Sequence, residues 1–178
     1  MTYQNQKRNQ KNKMEIERKF LINKLPENLS EYPVDTILQA YISTNPVLRV
    51  RQKNEDYILT LKSGGLLARE EIEMPLEKDS FIHLLSKKDG ICIEKKRYKI
   101  PDGKGNLIEL DVFEGDYHGF IMAEVEFPTI AQAEAYQPPA WFGSEVTMDP
   151  RFHNSNLSRR TKEEVCEFLH LIREWEEA

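Results

Sequence analysis

The sequence predicts an α+β fold dominated by β-structure, on three observations. Eight runs carry strand periodicity, they fall in two groups on either side of one amphipathic helix, and a longer amphipathic helix ends the chain. At 178 residues and 39% hydrophobic, the chain has the length of one domain with its own core. No internal repeat or Gly/Ser linker divides it, so a single domain is expected over residues 14–178.

Residues 1–13 form a Gln/Asn/Lys tract that carries Lys7, Arg8, Lys11 and Lys13 but no acid. They read as a disordered basic tail, with Met14 as the working start, rather than as a nucleic-acid-binding arm. The formal net charge is −5, and the body is more acidic still once the tail is set aside. That argues against a general nucleic-acid surface, so any anion must be held locally. Cys92 and Cys166 lie apart with no metal-ligand spacing, as expected of a reduced, cytoplasmic setting. No apolar run approaches the roughly 20 residues of a membrane span, and no hydrophobic signal core opens the chain.

Strand one is expected over 14–22, where Met14, Ile16 and Arg18 alternate with Glu15, Glu17 and Lys19. Further strands are predicted at 35–43, 47–52, 57–62 and 69–74, punctuated by Asn45-Pro46, Asn54 and Gly64-Gly65. Leu76 to Lys88 has helical spacing and ends at Asp89-Gly90. Strands resume at 91–100, 107–113 and 120–127. Thr129 is placed to cap a short helix that Pro138-Pro139 ends, and 141–156 reads as irregular. Thr161 and Glu164 have capping-box spacing, and Val165, Phe168, Leu169, Ile172 and Trp175 mark one apolar face of the final helix. That helix can pack at home or across a two-fold of a homodimer.

Residues two apart on a strand share a face. Glu15/Glu17, Glu71/Glu73, Glu109/Asp111 and Glu124/Glu126 are therefore same-face acidic pairs, and Arg49/Arg51 and Lys95/Arg97 are basic ones. Any one pair could be an ordinary solvated face. Repetition argues otherwise, because like charges side by side repel and a plain surface mixes signs. The acids supply hard oxygen ligands suited to Mg²⁺ or Mn²⁺, and the guanidinium forks and Lys ammoniums suit phosphate. No GxxxxGK[ST] or GxGxxG loop is present, so phosphates would be enclosed by side chains converging inside a closed barrel.

Met14-Glu-Ile-Glu-Arg-Lys-Phe20 resembles the ExExK signature of the CYTH, or triphosphate tunnel metalloenzyme, superfamily. Gln39-Ala40-Tyr41, Leu48 to Arg51, Thr60 to Lys62, Arg69 to Glu73, Lys95 to Tyr98, Glu109 to Phe113 and Ala123 to Glu126 resemble its successive strand motifs in order. The resemblance implies a closed eight-stranded antiparallel tunnel with flanking helices, a divalent metal and a small-molecule substrate containing a linear triphosphate. It implies Lys19, Arg49, Arg51, Lys62, Lys95 and Arg97 as triphosphate ligands and Glu15, Glu17, Asp111, Glu124 and Glu126 as metal ligands. Glu71 and Glu73 would hold a second metal or pair with the arginines. Tyr41 and Glu17 would be catalytic, Tyr41 as a proton acceptor whose phenol pKa nearby arginines would lower. Where members carry a lysine near the closing segment this chain has His153, which reads as a solvated loop residue.

The expected activity is metal-dependent hydrolysis of tripolyphosphate to diphosphate and phosphate. A class IV-type adenylate cyclase and a thiamine or nucleoside triphosphatase would use the same clamp. A non-catalytic polyphosphate sensor is the alternative from a different class; it would need mainly the cations.

Overall fold

The computed structural model describes residues 13–62 and 68–177. The expected tail, apart from Lys13, and the Gly64-Gly65 turn lie outside the described residues. Nine strands are described: β1 (Lys13–Ile22), β2 (Val34–Thr44), β3 (Val47–Lys53), β4 (Asp56–Lys62), β5 (Ala68–Leu76), β6 (Asp89–Pro101), β7 (Leu107–Phe113), β8 (Ile121–Glu126) and β9 (Phe142–Glu145). Four α-helices accompany them: α1 (Lys78–Leu85), α2 (Ile130–Ala135), α3 (Asn154–Leu157) and α4 (Lys162–Glu177).

The antiparallel order β5-β4-β3-β2-β6-β7-β8-β1 closes on itself, because Lys13 to Ile16 of β1 pair back with β5. The two end strands are joined over Lys13 to Ile16 and Ala68 to Glu71. The farther half of the same β1 edge is taken by β9, with Phe20 opposite Glu145 and Ile22 opposite Phe142. Arg18 fastens β9 from outside, its Nη2 lying 2.5 Å from Glu145 Oε2 while Nη1 donates to the carbonyls of Ala133 and Tyr136.

The strand expectations hold with end shifts of a few residues. The helix expected over 76–88 is shorter, because Leu76 is taken into β5 and Asp89 and Gly90 into β6. The segment expected to be irregular contains β9, a 3-10 turn at Pro150–Phe152 and α3. Thr129 caps α2 by accepting from Gln132 N–H, and Thr161 and Glu164 make the reciprocal bonds of a capping box.

Much of the outward apolar surface of the strands is covered, while Leu61 and Met74 stay 40% exposed. α1 inserts Phe81 against Ala40 and Val50, and Ala133 of α2 joins Phe20, Leu110, Val125 and Phe142 on the opposite side. A third cluster unites Leu21, Ile93, Phe113 and Met122 with Phe152, Leu157 and Val165, Phe168 and Ile172 of α4. The apolar stripe of α4 thus packs on its own chain, with Trp175 left 40% exposed. Among the described residues, no helix is long and apolar enough to cross a membrane.

Candidate active site in the barrel interior

Closing a sheet whose outward positions are greasy turns the charged alternate positions inward. They line a cavity of about 630 Å³. β1 contributes Glu15, Glu17 and Lys19; β3 contributes Arg49 and Arg51; β4 contributes Lys62; β5 contributes Glu71 and Glu73. β6 adds Lys95 and Arg97, β8 adds Glu124 and Glu126, and Tyr41 reaches in from β2. Asp111 is the one expected site residue that does not line it. It is fully buried beneath Lys95 and Arg97 and contacts both.

The same-sign strands are neutralised across the barrel by their neighbours. Lys19 Nζ lies 2.5 Å from Glu124 and 3.0 Å from Glu17, and Lys62 Nζ lies 2.6 Å from Glu15 and 2.9 Å from Glu71. Arg97 reaches three acids at once: Asp111 at 2.6 Å, Glu124 at 2.5 Å, and Glu109. Arg51 meets Glu73 at 2.8 Å, whereas Arg49 stands 3.7 Å from it and 3.9 Å from Glu71. Among the described residues the Nε atoms of Arg49 and Arg51 are buried without a hydrogen-bond partner.

Burial opposes ionisation throughout this interior, so the charges persist through their partners. Burial pushes the Glu124 carboxyl up, yet the Lys19, Arg97 and Lys95 charges hold it well below the ordinary range. Lys19, buried likewise, is raised by Glu124 and Glu17. Arg97 is raised well above its ordinary value, against burial, by Asp111, Glu124 and Glu109. Lys95 goes the other way, because burial and the Arg97 charge outweigh Asp111. Arg51 is lowered to about 10, first by the Arg49 charge and then by burial. Burial and neighbouring Glu124, Asp111 and Glu126 raise the Glu109 carboxyl despite Arg97.

The donor set fits a hard divalent cation. Glu15, Glu17, Glu109, Glu124 and Glu126 bring only carboxylate oxygens to the cavity wall, with no thiol or other soft donor among the lining residues. Several of these carboxylates are spent on ion pairs, and among the described residues no three acids already converge as a ligand group. A cation would therefore exchange with the ammonium and guanidinium groups.

Several lining residues lie outside the expected site set. Glu109 shares a face with Asp111 but sits where the cavity reaches it. Gln39, 1% exposed, donates from Nε2 to Tyr41 Oη at 3.3 Å. His153, read as a solvated loop residue, is buried at 6% exposure and lines the cavity beside Asn154 and Ser155. It is buried because the closing segment folds across the barrel end, which strand and helix periodicity do not register.

The CYTH domain family model matches residues 13–158. The chain is 42% identical over 149 residues to an inorganic triphosphatase of Nitrosomonas europaea, covering 81% of this chain and 96% of that protein. An inorganic triphosphatase of Acetivibrio thermocellus is 34% identical over 148 residues, covering 80% and 92%. The crystal structure of an inorganic triphosphatase superposes with a TM-score of 0.64 at 37% identity, over 83% of this chain and 95% of that one. With the motifs, the closed barrel and these matches in agreement, the chain belongs to the CYTH domain family.

Proposed function

We propose that this protein is a metal-dependent hydrolase of linear triphosphates that splits inorganic tripolyphosphate into diphosphate and phosphate. The observation that carries this reading is the cavity wall, where cations and carboxylates from β1, β3 to β6 and β8 interleave with no P-loop or nucleotide fingerprint. Similarity to two inorganic triphosphatases over four-fifths of the chain supports it.

Lys19, Arg49, Arg51, Lys62, Lys95 and Arg97 bind the phosphate oxygens. They exchange carboxylate partners for phosphate as the polyanion enters, and the orphaned Nε donors of Arg49 and Arg51 gain acceptors. Glu15, Glu17, Glu124 and Glu126, with Glu109, are the groups that would hold Mg²⁺ or Mn²⁺. Asp111 supports them from below by fixing Lys95 and Arg97. When bound, such a cation supplies Lewis-acid polarisation of the phosphoryl oxygens. Water attacks a terminal phosphorus in line, and the Arg and Lys track stabilises charge on the departing diphosphate. Glu17 orients the attacking water, and Tyr41, held by Gln39, relays its proton.

Product analysis with tripolyphosphate, and separately with ATP, in Mg²⁺ and then Mn²⁺ tests the reading. Phosphate from tripolyphosphate is expected, falling on the order of 100-fold or more in Glu124→Gln. Cyclic AMP from ATP would transfer the site to a cyclase, and tight triphosphate binding without turnover in either metal would make it a sensor.

A further inference from the structure

The charged interior does not run the full length of the barrel. Two residues beyond Lys19, and two before Lys95 and Glu124, the same strand faces carry Leu21, Ile93 and Met122; Phe113 follows Asp111 likewise. These four belong to the apolar cluster that Val146, Phe152, Leu157 and α4 complete. Across this layer runs the segment 146–158, anchored on both sides. Val146 N–H donates to the Lys19 carbonyl at 2.8 Å, and Lys19 N–H donates to Thr147 Oγ1 at 3.0 Å. At the far anchor Ile91 N–H donates to Ser158 O at 2.8 Å, and Tyr117 Oη donates to Leu157 O at 2.8 Å.

Between the anchors, His153, Asn154 and Ser155 reach the cavity wall. Among the described residues Asn154 Oδ1, an acceptor, is buried without a hydrogen-bond partner, and the same amide carries the Nδ2 donor. Gly90 makes the second anchor possible. Its φ is +79°, and a Cβ at this position would stand 2.0 Å from Ser158 O, a backbone atom already held by Ile91. Any larger residue must push the segment away from β6.

We propose that residues 153–155 are the floor of the site: they meet the inserted end of a phosphate chain and fix which phosphoanhydride bond lies among the cations and carboxylates. Gly90 is the positioning residue that lets the floor seat. The inference rests on the hydrolase reading. The Asn154 amide Nδ2 and the Ser155 hydroxyl can each donate to a terminal phosphate oxygen, while His153 Nε2 lies 3.3 Å from the Thr147 carbonyl and holds the turn in place. In the step itself, the water oxygen bonds to phosphorus, the bridging P–O bond breaks, the bridging oxygen leaves with the other fragment, and the water proton passes to solvent. Tetrapolyphosphate reports the register, because a cut at a terminal bond gives phosphate and tripolyphosphate whereas a central cut gives two diphosphates.

The experiment is chromatography of the initial products from tetrapolyphosphate, with KM and kcat for tripolyphosphate measured alongside. It compares the unchanged chain, Gly90→Ala, and Asn154→Ala/Ser155→Ala, whose backbone anchors are intact should Gly90→Ala not fold. The unchanged chain is expected to favour one product pair about 10-fold or more. Both variants are expected to form the two pairs within about 3-fold of each other and to raise KM more than they lower kcat, as loss of one or two floor hydrogen bonds dictates. Should the unchanged chain refuse tetrapolyphosphate, the variants are expected to admit it, and continued refusal by the folded double variant overturns the floor. So does a mixture of pairs from the unchanged chain, or an unaltered ratio in the double variant. Failure of the unchanged chain to hydrolyse tripolyphosphate at all would remove the hydrolase reading as well, which separates the two failures.

Discussion

Asp111 and Lys95 form an ion pair beneath the cavity in which neither side chain is more than 1% exposed. Asp111 also receives Arg97 through both Nε and Nη2 at 2.6 Å. Removing one partner of such a cluster leaves buried charge uncompensated. Asp111→Asn is therefore expected to cost about 3 kcal/mol of unfolding free energy, measured by urea denaturation without metal or substrate. A loss below about 1 kcal/mol, with weakened metal activation instead, would return Asp111 to the direct metal-ligand role that the family motif implies.

Arg49 and Arg51 are held side by side on β3, and the Arg49 charge is the main reason Arg51 is lowered to about 10. Because a base depressed in the folded state is opposed by folding when charged, this pair stores repulsion that a polyanion relieves. Arg51→Gln should leave the Tm of the free chain unchanged or higher, while weakening tripolyphosphate binding about 10-fold by calorimetry. A clear fall in Tm would mean that the 2.8 Å contact with Glu73 outweighs the repulsion.

The charged wall was legible in the sequence because strand period is two: Glu15 and Glu17, or Lys95 and Arg97, must share a face wherever they sit. Depth was not legible. Glu109 and Asp111 have the same parity on β7, yet one lines the cavity and the other is fully buried against Lys95 and Arg97. The closing segment escaped for a related reason. Phe142 to Glu145 form a strand through pairing with Phe20 and Ile22, more than a hundred residues earlier, and His153 is buried by the fold-over that follows. Nothing local in 141–156 encodes those partners.

Tyr41 is 3% exposed, lines the cavity and receives the Gln39 amide, an arrangement suited to relaying a proton. Tyr41→Phe keeps the ring and its packing while removing the hydroxyl. The expected result is a fall in kcat of about 100-fold at nearly constant KM. Gln39→Leu should reproduce part of the kcat loss, since it removes the amide that donates to the phenol. Equal kcat in Tyr41→Phe and the unchanged chain would reduce Tyr41 to a wall aromatic.

Acid stability should depend on Asp35, which lies on β2 outside the cavity lining. Its carboxylate has Lys99 Nζ at 2.8 Å and Lys53 Nζ at 3.2 Å, and it accepts from Asn54 Nδ2 at 2.8 Å, tying β2 to β6 and to the β3–β4 turn. Burial works against the charge, but Lys99, Asn54 and Lys53 together hold the pKa down to about 2. An unfolded Asp titrates near about 3.9. A carboxyl depressed on folding gives stability that is complete above the unfolded value and is lost as pH falls through the folded one. The unchanged chain should therefore be more stable than Asp35→Asn at neutral pH, with the difference in Tm shrinking from about pH 4 to about pH 2. Other acids titrate in this window too, so the difference between the two chains is the readout rather than either curve alone. A gap that stays constant across the window would mean that shape and hydrogen bonding at Asp35, rather than its charge, hold β2 to β6.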